Sequence, residues 1–187
     1  MKKMILIGLA AIGGAAAVSA QAADMSVRQD DAVMMLAHAG HAHAQHGHDM
    51  GKHAQAMADA KTSSTLSVSA CWIRSLPAPA PSAGYFLVKN TGSQPAKLQS
   101  ASSPTYGMVM LHQTTQHEGM SKMSETHDIA IPAGGELEFK PGGYHAMLEK
   151  PSAAPAVGSH VSMDFLFDTG EKASAQCEVK PANTKGH

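Results

Sequence analysis

His145 and Met147 stand two positions apart in a segment that reads as a strand, Tyr144 to Leu148. Residues i and i+2 of a strand point to the same face, so an imidazole and a thioether placed this way can reach one ion. Met108, Met110 and His112 repeat the relation on a second strand, giving three soft or borderline donors on one face. Met120 and Met123 follow in a polar segment between His112 and Ile129 that reads as a loop or hairpin. Imidazole and thioether without thiolate suit the soft ion Cu(I). Calcium and magnesium require clustered oxygens, and a structural zinc site ordinarily brings Cys or several His.

The same donors recur upstream. Residues 23–64 contain Met34, Met35, His38, His41, His43, His46, His48, Met50, His53 and Met57, separated mainly by Ala, Gly, Gln and Asp. This composition reads as a flexible metal-binding arm, a secondary site for Cu(I) or Cu(II). Ala and Met support transient helix over Asp30–Ala39 and Lys52–Lys61, with Gly40, Gly47 and Gly51 as interruptions, and Lys61-Thr62-Ser63-Ser64 reads as a linker. The His residues are irregularly spaced, unlike the contiguous run of a purification tag.

Composition narrows the function. The 187 residues include 13 Met and 12 His, and only 4% are aromatic. Fourteen basic against 15 acidic residues give a net charge of −1, without the basic surplus of a domain that neutralises phosphates, so no nucleic-acid partner is expected. The chain has no Gly-x-Ser-x-Gly, no His-Glu-x-x-His and no phosphate-cradling glycine loop, and no enzyme is read from it. A blue-copper electron carrier needs a Cys thiolate beside two His and a weak axial Met. Cys177 lies beyond His145-x-Met147 and lacks that short spacing.

Residues 1–22 read as a secretory signal peptide. Lys2 and Lys3 are followed by an apolar run from Met4 to Val18, then by small residues that permit cleavage after Ala20 or Ala22. The run is short of the ~20 residues that span a bilayer. A soluble periplasmic protein is therefore expected, with no stable membrane insertion after cleavage. In an exported chain the pair Cys71 and Cys177 favours a disulfide; two thiols available to copper is the other reading.

The elements that must position these donors are short strands. From Thr65 onward, Leu66–Trp72, Tyr85–Val88, Lys97–Ser100, Met108–His112, Ile129–Ile131, Leu137–Phe139, Tyr144–Leu148, Val161–Phe167 and Ala173–Val179 are separated by Gly, Pro and Asn turn signals. Pro77, Pro79 and Pro81 mark a loop. This is the pattern of an all-β sandwich or barrel, with a β domain over residues 65–182, a tail over 183–187, and Trp72 as a core anchor. Taken singly, strand methionines such as Met108, Met110 and Met163 read as packing, and His117, His127 and His160 as solvated polar residues.

Ten residues separate His112 from Met123, and 21 separate Met123 from His145-x-Met147. In this spacing the chain resembles the periplasmic copper chaperone family PCu(A)C, with its H-x10-M-x21-H-x-M pattern. The phrases Ile131-Pro132-Ala133-Gly134-Gly135, Lys140-Pro141-Gly142-Gly143-Tyr144-His145 and Trp72-Ile73-Arg74 are similar to that family too. The likeness runs from about Leu66 to Val179. It implies a cupredoxin-like β-sandwich or barrel and a surface-proximal Cu(I) site formed by His112, Met123, His145 and Met147. It also implies a chaperone that supplies copper for the binuclear copper centre of cytochrome c oxidase, with the oxidase copper-site subunit or another copper chaperone as partner. The chain departs from the family in two ways. Its His/Met-rich extension precedes the domain, and Gln113 stands where the family often has Met directly after the first His, leaving Met110 or Met120 to substitute. A copper- or zinc-sequestering buffer without a specific acceptor is the alternative function.

Overall fold

The strands read from alternation form as expected. The computed structural model describes residues 44–186, with side chains from residue 52 onward. A helix, α1 (Ala44–Asp59), precedes β1 (Lys61–Thr62), β2 (Leu66–Arg74), β3 (Ser82–Asn90), β4 (Ala96–Ser102), β5 (Tyr106–His117) and β6 (Met120–Glu125). Then come β7 (Ile129–Ile131), β8 (Glu136–Phe139), β9 (Tyr144–Pro151), β10 (His160–Phe167) and β11 (Glu171–Lys180). The hydrogen-bonded order is β6-β5-β9-β3-β2-β11-β10-β4-β7, with β1 added to β11 and β8 to β3. The order curls round until β4 approaches β5, although the two share no ladder.

The enclosed face carries the core. Phe86 stacks on Phe139 with ring centroids 4.2 Å apart and meets Phe165 at 4.5 Å. Ile73, Leu98, Ile131, Leu148, Met163 and Val179 are fully buried around them. Met163 is thus packing, as its strand position suggested.

Simple alternation fails in β2. The pairing with β3 shifts register between Ser69 and Trp72, and Ala70 adopts φ 49°. This β-bulge resets the parity of the strand, so Cys71 and Ile73 face the main core with Leu66. Trp72 instead turns to the opposite face and joins Ala83 and Tyr85 in a small separate cluster. Trp72 is therefore buried, but it does not anchor the main core. The bulge also brings Cys71 to Cys177, and the two are joined by a disulfide.

The segment before the β domain is also more ordered than its composition suggests. Residues 44–59 form one helix that runs through Gly47 and Gly51 and replaces the transient helix expected over 52–61; the helix expected over 30–39 lies outside the described residues. Each helical Gly costs up to about 1 kcal/mol relative to Ala. Docking compensates: Met57 is buried, and Lys172 Nζ donates to its carbonyl at 3.1 Å. The expected linker, Lys61 to Ser64, contains β1, which pairs in parallel with β11, and Ser63 Oγ donates to Glu171 at 2.9 Å. The proposed signal peptide and the first half of the arm lie outside the described residues.

Candidate metal centre

The hairpin β5–β6 sets the first half of the centre. Its two-residue loop, Glu118-Gly119, has positive φ at both positions (50° and 79°). This is the type I′ geometry that matches strand twist, and Gly at its second position favours it. The loop fixes His117 opposite Met120, hence Thr114 opposite Met123 and His112 opposite Glu125. Directly opposed residues share a face, as do residues two apart, so Met123 lies on the face of His112. A slip of one residue would turn it away.

The other half comes from β9. His112 is paired with His145, and Met110 with Met147. The four spaced positions His112, Met123, His145 and Met147 therefore occupy one sheet face, spread over three adjacent strands. The His112 and His145 rings meet edge-on with centroids 5.8 Å apart.

His145 is the best-defined group of the four. Its ring is buried, and Nδ1–H donates to the Gly143 carbonyl at 3.1 Å. A carbonyl only accepts, so the proton of the neutral ring sits on Nδ1 and the lone pair on Nε2. Nε2 lies 3.2 Å from Met123 Sδ. Two lone-pair donors thus converge, as they would on a shared electrophile. His112 Nδ1 is buried without a hydrogen-bond partner, a state that costs about 1–3 kcal/mol unless something binds there. Behind His145 stands Tyr85, ring centroids 6.5 Å apart, whose hydroxyl accepts from Arg74 at 2.6 Å.

Burial pushes the His112 imidazole below the ordinary histidine value of 6.5; His145 adds to this, and Glu125 and Glu149 oppose it. His112 therefore stays neutral, and able to bind a metal, to lower pH than a free histidine. The linked stability is complete above about 6.5 and falls as the pH drops from there toward the folded midpoint, because the unfolded chain takes up the proton first. In an NMR titration of the metal-free protein, the His112 ring should titrate below 6.5. His145→Ala should move the midpoint upward by admitting water and removing the electrostatic influence of the neighbouring ring. A midpoint at or above 6.5 in the native protein would contradict the assignment.

Met120 and Met123 are exposed, at 68% and 52%, on an edge strand whose six residues are all open to solvent. Met108 and Met110 are half-buried. Among the described residues no three His, Cys, Asp or Glu side chains gather to hold a metal; the cluster mixes imidazole with thioether. Of the arm positions, Met34, Met35, His38, His41 and His43 lie outside the described residues, while His46, His48 and Met50 fall within α1. His53 is half-buried, and Met57 is buried where α1 meets the β domain. Sequence reading missed Glu125 and the Gly143 carbonyl. Glu125 was accessible to parity, two residues beyond Met123, whereas the carbonyl had no side-chain signal.

Comparison with known proteins gives consistent results. Residues 66–179 match the family model LpqE-like, described as "Putative lipoprotein LpqE-like". A Leifsonia xyli protein named "Putative lipoprotein Lxx21020" is 31% identical over 128 residues, which is 68% of this chain and 76% of that protein. Among solved structures, the apo PCuAC domain of PmoF2 superposes with a TM-score of 0.53 at 20% identity, covering 64% of this chain and 93% of the domain. The solution structure of CuI-DR1885 from Deinococcus radiodurans gives 0.51 at 27% identity, covering 71% of this chain and 88% of that one. The β domain thus has the cupredoxin-like fold of these PCuAC domains. No helix among the described residues is long and apolar enough to cross a membrane.

Proposed function

Because the chain belongs to the LpqE-like family, and its β domain has the fold of PCuAC domains, we propose that it is a copper chaperone. In this reading it binds Cu(I) through His112, Met123, His145 and Met147 and hands the ion to an acceptor. The observation that carries the proposal is the locked His145 ring, with Nε2 held 3.2 Å from Met123 Sδ. The CuI form of the 27%-identical Deinococcus radiodurans protein supports it. Thioethers favour Cu(I), and a ligand as exposed as Met123 is one that an incoming acceptor can displace. Nothing in such a site performs a reaction on a substrate, so the protein is read as a carrier and not an enzyme. Residues 1–22 would direct export to the periplasm, and residues 23–64 would collect additional copper as Cu(I) or Cu(II). The copper centre of cytochrome c oxidase is the acceptor suggested by the family resemblance.

The test is an anaerobic Cu(I) titration of the full chain against a chromophoric Cu(I) chelator, with Met123→Leu/His145→Ala as the comparison. The native chain should hold one tight equivalent more than the variant. Equal capacity and affinity in the two would sink the site, and a sequestering buffer built on the arm would then lead.

A further inference from the structure

The soft donors do not end at His112. Met110 and Met108 continue along β5 on the same face, and Met110 is the register partner of Met147. Both also line a cavity of about 740 Å³ beside the seam where β4 and β5 approach without pairing. Helix α1 contributes His53 and Met57 to its wall, and Glu125 and His127 line it as well, with His127 Nε2 3.6 Å from Glu125 Oε1. The cavity opens to solvent, and the half-buried thioethers of Met108 and Met110 border it in company with the imidazoles of His53 and His127. Ser100 Oγ, in the same wall, is buried without a hydrogen-bond partner.

We propose that this cavity is a second Cu(I) site, held by Met108, Met110 and His53, through which copper reaches the site at His112 and His145. His53 and Met57 stand four positions apart on α1, the spacing of neighbours on one helix face, and both line the cavity. Met110 borders both the cavity and the pair His112–His145. Each transfer exchanges one neutral donor for another on the same ion. The copper remains Cu(I), and no electron or proton moves. The inference extends the chaperone reading and shares its premise that thioethers here select Cu(I).

The test uses the full chain labelled with 13C at the methionine methyls, titrated anaerobically with Cu(I), each signal being assigned by a Met→Leu variant. Met→Leu conserves volume and is well tolerated in packed positions. Met123 and Met147 should respond in one binding event and Met108 and Met110 in a separate, weaker one. Met108→Leu/Met110→Leu should remove the weaker event and leave the first, and His53→Ala should weaken it about tenfold. Methyls of Met108 and Met110 that stay still while Met123 and Met147 shift would overturn the second site alone. The reverse pattern would overturn the first site and leave the cavity standing. A single event moving all four together would also reject a separate site, and the native spectra decide this whether or not any variant folds.

Discussion

His145→Ala is expected to lower Cu(I) affinity at the β-domain site at least about 100-fold, whereas Met123→Leu should cost about tenfold and act mainly on release. The magnitude follows from support. Removing only the partner that orients a metal-binding histidine typically costs 10–100-fold in affinity, so losing the ring together with its Gly143 lock must exceed that. His145 is buried and its tautomer is set before copper arrives, so little ordering remains to be done on binding. Met123 differs in each respect. It lies on the exposed edge strand, where solvent and an incoming acceptor can reach its thioether. Chelator competition would give the two affinities, and stopped-flow transfer of Cu(I) to excess chelator would give the two release rates. Equal losses, or a larger loss for Met123→Leu, would mean that the thioether and not the imidazole anchors the ion. Backbone amide spectra of both metal-free variants would establish that the fold survives.

That asymmetry is invisible in the sequence, where the four spaced residues look equivalent. What the sequence does carry is local. Alternation and turn residues locate most strands because most bury one face and most connections contain Gly, Pro or Asn. The i, i+2 relation of His145 and Met147 is equally local. Bringing Met123 onto the face of His112 depends on the hairpin register, which the Glu118-Gly119 loop fixes; without the turn type, the segment reads no more definitely than loop or hairpin. Trp72 shows the limit of parity. Leu66, Val68, Ala70 and Trp72 alternate on paper, but the bulge at Ala70 breaks the count, and nothing in the local residue types announces it. Helix α1 exceeds its glycine-interrupted composition because its order derives from a distant element, through Met57 and Lys172. The Gly143 lock is a backbone contact, and side-chain patterns say nothing about those. The legible part is thus what neighbours in sequence decide. The remainder was set by contacts between segments, where the energetic differences among the site residues also arise.

The second large effect concerns the disulfide, and it separates fold from site. Cys71 and Cys177 are 106 residues apart and both buried, Cys177 completely. Closing a loop of that length removes about 4.7 kcal/mol of freedom from the unfolded chain in the entropy model, a large share of the roughly 5–15 kcal/mol that ordinarily holds a domain together. Cys71→Ala/Cys177→Ala should therefore lower the midpoint of thermal unfolding by roughly 10–20 °C, with reductant acting the same way on the native protein once the bond is reached. Copper capacity should behave otherwise. The cysteines join β2 to β11, whereas the proposed ligands lie on β5, β6 and β9, so the folded variant measured well below its midpoint should keep every Cu(I) equivalent of the native chain. Calorimetry and anaerobic chelator competition on the same samples would check both halves. An unchanged midpoint would mean that the unfolded chain gains little freedom when the bridge is removed. The loss of a Cu(I) equivalent would mean that the thiols, not the thioethers alone, hold copper, and the carrier would then be sensitive to the redox state of its compartment in a way that the disulfide-bonded structure excludes.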